Sequence, residues 1–326
     1  GLVRFGVAPD HPKIKNVSKI FEKIAESPGY SFLGNVEVGR DIKITELRRF
    51  YDAIIFCSGA ETDRNLGING EYLRGSHAAS EFVGWYNGHP DFRNCNFDLS
   101  CKVAVIVGQG NVAMDVARIL LKTVAELKMT DITQYALDHL ATSKIQEVHM
   151  IGRRGPVQAS FTSAEVKEFA ELHECDPVID SQELELNEAS QKELLEPANA
   201  PKKKNYELLQ SFLPLASRGK PRKFYMHFYR SPQEIVGQGR VEKVILEKNR
   251  LLGEAGSQKA MGTGVRDEIQ CGIFFRSVGY RGVPISGLPF HDRTGIIPNF
   301  EGRVMDSEQI FTGLYTAGWI KRGPTG

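Results

Sequence analysis

The chain has 326 residues, of which 41% are hydrophobic and 25% are charged. This length and composition allow a large buried core and predict two ordinary soluble domains. The formal net charge is +1, which creates no field that would attract nucleic acid, and no apolar run reaches the roughly 18 residues of a membrane helix. We therefore expect neither a nucleic-acid partner nor a membrane span.

The first hundred residues alternate between helical and strand-like patterns. Apolar residues recur at helical spacing over 13–26, and two short strands are predicted within 31–38. A short helix is predicted over 44–50 and a buried strand over 53–57. The polar, proline-containing stretch 85–100 then marks a candidate domain boundary.

A glycine-rich turn follows this boundary. The apolar run 102–107 (KVAVIV) predicts a strand buried on both faces, and 111–123 predicts a helix. Between them, Gly108 allows a tight turn, Gly110 has no Cβ to hold a pyrophosphate away, and Ala113 permits close packing of helix on strand. A lone Gly-x-Gly-x-x-Ala also occurs in unrelated turns, but the order strand, loop, helix favours a dinucleotide site.

Two arginines follow the next predicted strand. An NAD site places Asp or Glu there, because a carboxylate accepts hydrogen bonds from the ribose 2′-hydroxyl. Here the place holds Gly152, Arg153 and Arg154, and guanidinium groups bind a 2′-phosphate bidentately. The two motifs together predict a site for NADPH. The interval from Gly108 to Arg153 exceeds the usual value of about 20 residues. The additional length lies in the insert 122–146, which is predicted to be helical.

The rest of the chain is first charge-rich and then strand-rich. Residues 181–214 predict surface helices that Pro197 and Pro201 interrupt. Strand-like runs follow over 224–229, 241–247 and 271–277. The five cysteines form no Cys-x-x-Cys pair, which predicts reduced, buried thiols and neither a metal site nor a dithiol relay.

Six motifs stand in a defined order along the chain. They are GLVRFGVAPDHPKIKNV at 1–17, FVGWYNGHP at 82–90, GQGNVAMDVARILL at 108–121, GRRGPVQASFT at 152–162, RSVGYRG at 276–282 and GWIKRGPTG at 318–326. Together they resemble ferredoxin-NADP reductases of the adrenodoxin reductase type. The resemblance is weakest over 178–223. The family's N-terminal FAD fingerprint and its C-terminal end have no counterpart in this sequence, so we expect a chain that is truncated at both ends.

The resemblance implies an α/β flavoprotein with two dinucleotide-binding, Rossmann-like domains of the glutathione-reductase-like type. It implies that residues 1–99 and 281–326 form a partial FAD domain, into which an NADPH domain of residues 100–280 is inserted. It also implies FAD and NADP as cofactors and electron transfer to a ferredoxin-type iron–sulfur protein. The bacterial cytoplasm is the expected compartment, with the mitochondrial matrix as the alternative.

The resemblance also assigns cofactor-binding residues, position by position. The matching positions are Gly108, Gln109, Gly110, Asn111 and Val112 for the pyrophosphate, Arg153 and Arg154 for the 2′-phosphate, Glu165 for a further nucleotide contact, and Leu2, Val38, Trp319 and Gly326 for the flavin. Gly326 also matches a position close to the nicotinamide. For Trp319, burial in an ordinary core is the competing interpretation.

His11 and Asp115 match a polar pair beside the reacting rings, which would position groups or transfer protons, since the cofactors carry the hydride chemistry. Competing interpretations remain for both residues. The position of His11 between Asp10 and Pro12 also suits a turn at a helix start. An acid near the beginning of a helix, such as Asp115, also stabilises the helix dipole.

The basic residues Lys167, Lys202, Lys203 and Lys204 are candidates for docking an acidic ferredoxin by electrostatic steering. A charge run of this kind is also typical of a solvated surface without a partner. Two other functions stay open at this point. One is an NADPH-binding sensor or partner protein without flavin, and the other is a reductase module like the glutamate-synthase small subunit, which the lack of cysteine-rich cluster motifs disfavours.

Overall fold

The computed structural model describes residues 2–323, and its elements are numbered here in chain order. The strands are β1 (Ile54–Phe56), β2 (Thr62–Asp63), β3 (Ser76–Ala78), β4 (Val103–Val107), β5 (Glu147–Ile151), β6 (Cys175–Ile179), β7 (Arg222–His227), β8 (Arg230–Val236), β9 (Lys243–Leu252), β10 (Lys259–Gln270), β11 (Ile273–Arg276), β12 (Tyr280–Arg281), β13 (Asn299–Phe300), β14 (Arg303–Asp306) and β15 (Gln309–Thr316). The α-helices are α1 (Pro12–Lys15), α2 (Ser18–Ala25), α3 (Ile44–Phe50), α4 (Ala79–Tyr86), α5 (Asn111–Leu121), α6 (Val124–Leu127), α7 (Gln134–Ala141), α8 (Ser163–Glu171), α9 (Glu188–Leu195), α10 (Ala200–Gln210) and α11 (Trp319–Arg322).

The contacts within the chain define two compact units, which are described separately. The first contains Lys13–Arg64 and the chain from Gly279 onward, and the second contains Leu2–Pro12 and Asn65–Val278. The boundaries predicted from the sequence, after residue 99 and after residue 280, concern nucleotide binding rather than compactness. They therefore stay a prediction.

A parallel sheet of six strands forms the centre of the second unit, in the order β3-β11-β4-β5-β7-β6. Strand β4 lies inside this sheet, and its residues 104–107 are buried. A strand that is covered on both faces needs apolar side chains on both, which explains the continuous apolar run predicted over 102–107. Each buried valine or isoleucine there contributes about 1.5–3 kcal/mol relative to an exposed one.

The two faces of the parallel sheet are covered by different elements. On one face α5 buries Val116 and Ile119 beside an aromatic group in which the Phe82 ring lies 5.0 Å from the ring of Phe97. On the other face lies an antiparallel sheet in the order β10-β9-β8, whose Val244 packs in one apolar cluster with Val105 of β4. The strand β4 is thereby sealed from water on both sides.

The insert 122–146, between α5 and β5, was predicted to be helical and contains two short helices, α6 and α7. Helix α6 begins after Thr123, whose hydroxyl oxygen accepts from the N–H of Glu126 at 3.2 Å. The carboxylate of Glu126 accepts in return from the N–H of Thr123 at 2.8 Å. This reciprocal pair satisfies two N–H groups that a helix start leaves without intrahelical partners.

The charge-rich region 181–214 forms α9 and α10. Pro201 was expected to interrupt a helix, but it lies in the first turn of α10. The N–H groups of the first turn have no acceptor within the helix, so a proline there removes no intrahelical hydrogen bond. Pro197 begins the short 3₁₀ turn Pro197–Asn199 that separates the two helices.

The first unit contains a mixed sheet in the order β1-β15-β14-β13 and a separate pair of β2 with β12. Its core includes Ile44 at the start of α3, Phe56 of β1, Leu314 of β15 and Ile320 of α11. The predicted helix over 44–50 is confirmed. Of the buried strand predicted over 53–57, residues 54–56 form β1, but Ile55 is 63% exposed.

One local prediction in the first unit is wrong, and another holds in part. The range 13–26 is helical except where residues 16–17 separate α1 from α2, whereas the strands predicted within 31–38 do not form. Asn35 has a φ of +57°, which interrupts an extended backbone, and residue 38 forms only an isolated bridge to Ile42. Without strand partners, the apolar alternation over 31–38 leaves Phe32 80% exposed.

Candidate nucleotide-binding site

A tight turn follows β4 at Gly108. Its φ of +129° lies in a region that only glycine adopts readily. A Cβ at this position would lie 2.0 Å from the carbonyl oxygen of Ser277. The N–H of Gly108 donates to the carbonyl of Ile151 at the end of β5, at 2.9 Å. The fold itself therefore requires glycine at position 108.

Gly110, just before α5, is in a different situation. Its φ of −110° suits any residue, and a Cβ would meet only the hydroxyl of Ser160, at an ordinary 3.5 Å. The protein thus leaves room for a side chain, and a glycine that the fold does not need is expected where a ligand approaches the backbone. The positive end of the α5 dipole lies here, while Val112 anchors the first turn to the core.

The polar residues of this loop bind other parts of the protein. The side-chain amide of Gln109 donates to the carbonyl of His227 at 3.2 Å, and the carbonyl of Gln109 accepts from the N–H of Ser160 at 2.9 Å. The side-chain oxygen of Asn111 accepts from the N–H of Thr162 at 2.8 Å. These bonds occupy both side chains and fix the path of the loop.

Two loops begin at the same edge of the parallel sheet. Strands β4 and β5 are parallel neighbours, with Val107 opposite Ile151. Because the carboxyl ends of parallel strands meet at one edge, the turn at Gly108 and the turn at Gly152 start side by side. The glycine loop and the two arginines are therefore combined in one site.

Arg153 is exposed and Arg154 is half-buried at this edge. Neither guanidinium forms an ion pair with a carboxylate within residues 2–323. Burial and the positive charge of Arg153 lower the pKa of Arg154, and the negative charge of Glu193 opposes that shift. The site thus holds positive charge that an anion would stabilise.

A buried ion network lies on α5, beyond the glycine loop. Its centre is the guanidinium of Arg118, which has no solvent exposure. It contacts four carboxylates, those of Asp10 at 2.6 Å, Asp115 at 2.6 Å, Glu165 at 2.7 Å and Glu168 at 3.0 Å. One cation thus connects the N-terminal segment with α5 and α8.

Asp10 has a second cationic partner in Lys122. Burial alone would raise the pKa of Asp10, but the hydrogen bonds and charges of Arg118 and Lys122 hold it well below its usual range. Four carboxylates face only two fixed positive charges in this network. The remaining balance must come from protons on its titratable members.

His11 is one of these members. Its Nε2 lies 3.0 Å from the carboxylate of Glu168 and also 3.0 Å from the guanidinium of Arg118. A protonated Nε2 can donate only to Glu168, whereas an unprotonated one can accept only from Arg118. The bond to Glu168 raises the pKa of His11, although burial and Arg118 oppose that shift. The ring therefore exchanges partners when its proton leaves.

Asp115 is the second proton-binding member. Burial raises its pKa to about 7, with a further contribution from the negative charge of Glu165, while Arg118 acts in the opposite direction. The guanidinium is shared among several carboxylates, so it does not keep Asp115 ionised. The network thus contains a carboxyl group that titrates near neutral pH.

The polar pair predicted from the sequence contains His11 and Asp115 but omits Arg118 and Glu168. In the structure the guanidinium of Arg118 lies between the pair, 3.0 Å from Nε2 of the ring, and donates to Asp115 at 2.6 Å. A signal for the missed residues was available. Asp115 with Arg118 and Glu165 with Glu168 are each three residues apart in a helix, which places each couple on one face.

The residues predicted to line the flavin are only partly described. Trp319, at the start of α11, is half-buried and its ring stacks on that of Tyr280 at 5.7 Å. Val38 is 37% exposed and lines a cavity of about 410 Å³ within the first unit. Leu2 begins a π-helical turn, and Gly326 lies outside the described residues.

Two overlapping groups of side chains in residues 2–323 have a spacing suited to a metal ion. They are Asp10, His11 and Glu168, and His11, Asp115 and Glu165. Their carboxylates already bind Arg118, so we propose no metal site. Separately, no helix within the described part of the chain is long and apolar enough to cross a bilayer.

The strand order, the glycine loop and the helix behind it define the second unit as a dinucleotide-binding domain of the Rossmann type. No protein-family model matches the chain. Individual relatives do match it. The chain is 48% identical to NADPH-ferredoxin reductase FprA of Mycobacterium tuberculosis over its whole length and 70% of that protein. It is 43% identical to the mitochondrial NADPH:adrenodoxin oxidoreductase of Homo sapiens, covering 67% of that protein.

The solved structure of Mycobacterium tuberculosis FprA in complex with NADPH superimposes on the whole chain with a TM-score of 0.93 at 48% identity, covering 70% of FprA. The chain therefore belongs to the family of NADPH-ferredoxin and NADPH:adrenodoxin reductases. The resemblance seen in the motifs and the predicted fold class, α/β with Rossmann-like dinucleotide-binding domains, are both confirmed.

The contrast between the two loop glycines gives a first prediction. Gly108→Ala should lower the free energy of unfolding by about 3 kcal/mol, because its Cβ meets a carbonyl oxygen and its φ is strained. Gly110→Ala should change stability by less than about 1 kcal/mol but weaken NADPH binding at least about ten-fold. Urea unfolding and NADPH titration measure the two effects. Equal loss of stability in both variants would contradict this distinction.

The raised pKa of Asp115 predicts a pH-dependent stability. The pKa of Asp115 is 3.8 in the unfolded state and about 7 in the folded state, so between these pH values the folded state binds the proton more tightly. The contribution of Asp115 to stability therefore falls as pH rises through this range. Above pH 7 this loss is complete. Asp115→Asn removes the titration, so its stability relative to the parent should increase between pH 5 and pH 8 in urea unfolding.

The exposed acid Asp138 of α7 provides the matched control. The substitution Asp138→Asn should leave the difference from the parent constant over the same pH range. A constant difference for Asp115→Asn as well would show that this carboxyl group does not titrate in that range.

Proposed function

We propose that this protein is an NADPH-dependent flavoprotein reductase that delivers electrons to a ferredoxin-type iron–sulfur protein. The main observation is one sheet edge that combines a glycine the fold does not need with two arginines that have no carboxylate partner among residues 2–323. The supporting comparison is the identity of 42–48% to NADPH-ferredoxin and NADPH:adrenodoxin reductases. When bound, FAD would take up the two electrons that NADPH donates and allow them to leave one at a time for the iron–sulfur protein.

The arginine pair would determine the choice of coenzyme. Guanidinium groups of Arg153 and Arg154 offer planar pairs of donors, which match the geometry of a phosphate. NADH has only a hydroxyl at the corresponding ribose position, and this loop provides no carboxylate to accept from it. The site therefore favours NADPH over NADH.

Gly108, whose own N–H donates to the carbonyl of Ile151, would allow the turn, and the main chain from Gln109 to Val112 would hold the pyrophosphate. Its N–H groups lie at the N-terminus of the eleven-residue helix α5, where the dipole favours negative charge. Gln109 and Asn111 act by fixing the loop, as their bonds to 160–162 and 227 indicate. The predicted contact of Glu165 with the nucleotide is retained as a proposal, with its carboxylate oriented by Arg118.

The ion network would position groups and hold a proton near the reacting rings. Burial raises the pKa of Asp115 to about 7, the hydrogen bond to Glu168 raises the pKa of His11, and Arg118 connects the two residues. Glu168 fixes the His11 ring by accepting a hydrogen bond from its Nε2 when that nitrogen is protonated. We assign these residues to positioning and proton exchange, since the transfer of hydride occurs between cofactors.

The flavin would lie against the loop around α11. Gly318 and Gly323, on either side of that helix, have φ values of +71° and +78°, and a Cβ at either would meet no atom of the described chain within 4 Å. Open space beside two such glycines suits a flat ring close to the backbone. We assign Trp319, Val38, Leu2 and Gly326 to this site.

We also propose the nucleotide domains to be residues 1–99 with 281–326 for FAD and residues 100–280 for NADPH. The proposed compartment is the bacterial cytoplasm, in keeping with the bacterial FprA relatives, with the mitochondrial matrix as the alternative that the mitochondrial relatives support. The absorption spectrum of the purified protein distinguishes the reductase, which would show flavin absorption, from the alternative without flavin. A protein that binds NADPH but shows no flavin absorption would instead be an NADPH sensor or partner protein.

The docking surface for the ferredoxin is proposed on α8 and α10. Lys202 is paired with the buried carboxylate of Glu193, so its charge serves the fold. Lys167, Lys203 and Lys204 are exposed and have no ion pair within residues 2–323. These three lysines provide the positive field that would steer an acidic partner.

The coenzyme proposal is tested by Arg153→Ala combined with Arg154→Ala. Each lost charge-assisted contact to the 2′-phosphate should cost about ten-fold in affinity, so NADPH binding should weaken by about 100-fold. NADH binding should change by less than about two-fold, since NADH lacks that phosphate. The double variant Arg48→Ala, Arg49→Ala removes the same charge from exposed positions of α3 and should affect neither coenzyme. An unchanged preference in the loop variant would refute the clamp.

The docking proposal is tested by Lys203→Glu combined with Lys204→Glu. Electron transfer to an acidic ferredoxin at low salt should slow by about ten-fold or more, while reduction of a small dye by NADPH should stay the same. Lys128→Glu with Lys144→Glu makes the same change of charge at other exposed positions of the second unit. Equal slowing in both double variants would mean that net charge, rather than this surface, is responsible.

A further inference from the structure

We infer that Asn249 of β9 is a positioning residue for the two arginines and therefore contributes to the preference for NADPH over NADH. The inference rests on the proposed clamp for the 2′-phosphate. Asn249 carries no charge and lies far from the arginines in sequence, so no motif identifies it. Its role follows from the hydrogen bonds that hold the arginine loop.

Two carbonyl groups of this loop are held by main-chain donors. The carbonyl of Gly152 accepts from the N–H of Arg230 at 2.9 Å. The carbonyl of Arg154 accepts from the N–H of Tyr229 at 3.0 Å. Both donors belong to the turn into β8 and its first residue, and no side-chain substitution removes them.

The carbonyl between these two is held by a side chain. Arg153 accepts at its carbonyl oxygen from the side-chain amide of Asn249, at 2.9 Å. The same amide nitrogen donates to the hydroxyl of Ser231 at 2.8 Å, so both of its N–H groups have acceptors. Among the three consecutive carbonyls, this bond is the one that a mutation can delete.

Asn249 itself is firmly placed. Its main-chain N–H donates to the carbonyl of Tyr229 at 2.7 Å, and it pairs with Gly262 of β10. Tyr229 adopts a φ of +55°, which turns the chain from β7 into β8 and brings this carbonyl to β9. The amide that holds Arg153 thus projects from a three-stranded sheet rather than from a mobile loop.

The held carbonyl belongs to the peptide unit that joins Arg153 to Arg154. A peptide unit is planar, so fixing its oxygen fixes the direction in which both Cα atoms present their side chains. The two guanidinium groups carry like charges, which repel when no phosphate lies between them. Without the hydrogen bond from Asn249, the peptide unit could rotate, and the repulsion would move the two guanidinium groups apart.

The test compares Asn249→Ala and Asn249→Asp with the parent, using flavin-loaded protein and titrating NADPH and NADH separately. Loss of one hydrogen bond should weaken NADPH binding about five-fold and leave NADH binding within about two-fold. The carboxylate of the second variant would have the shape of the asparagine amide but no N–H, and it would add a negative charge. Asn249→Asp should therefore lose more affinity for NADPH than Asn249→Ala.

Ser231→Ala is the matched control. It removes the other acceptor of the same amide but leaves the bond to Arg153, so the ratio of NADPH to NADH affinity should stay near that of the parent. Equal weakening of both coenzymes in the Asn249 variants, or the same ratio change in Ser231→Ala, would overturn the inference. An unchanged ratio in Asn249→Ala would do so as well.

The inference can fail independently of the clamp. In a protein that already carries Arg153→Ala and Arg154→Ala, adding Asn249→Ala should produce no further change in the NADPH to NADH ratio. If the arginine variant changes the ratio but Asn249→Ala does not, only the role of Asn249 is refuted. If the arginine variant itself leaves the ratio unchanged, the clamp is refuted.

Discussion

The parallel pairing of β4 with β5 is the constraint on which the proposed NADPH site depends. It aligns Val107 with Ile151, so the chain leaves both strands at one edge of the sheet. One exit turns immediately into α5, which supplies main-chain donors and a dipole, and the other exit supplies side-chain charge. In the proposed site the backbone would bind the pyrophosphate and the side chains the 2′-phosphate, and a single strand register brings the two parts together.

The buried network around Arg118 is the second organising feature of this unit. Its charges are not balanced by fixed ions, because four carboxylates share one guanidinium and one lysine. Burial raises the pKa of Asp115, whereas the pKa of His11 is raised by its hydrogen bond to Glu168 and lowered by burial. Such a network links the position of the N-terminal segment to the protonation of groups on α5 and α8.

The sequence was sufficient to predict features that depend on neighbouring residues. The strand, glycine loop and helix from 102 to 123 and the arginines after β5 follow local rules of turn geometry and charge. The strands predicted within 31–38 failed because alternation alone does not provide a partner strand. Arg118 was missed because its contacts with Asp10 and His11 join residues that are 108 and 107 positions apart. Asn249 was missed because its contact is to a main-chain carbonyl, which leaves no trace in residue type.

The way in which the arginine loop is held also affects how this family can diversify. The frame of the loop depends on main-chain donors at both ends and on one amide in the middle, and on neither guanidinium. Residues 153 and 154 can therefore be exchanged for others while the path of the backbone is preserved. A change of coenzyme preference then requires no rebuilding of the sheet, so evolution or an engineer could reach it through a few surface substitutions at little thermodynamic risk.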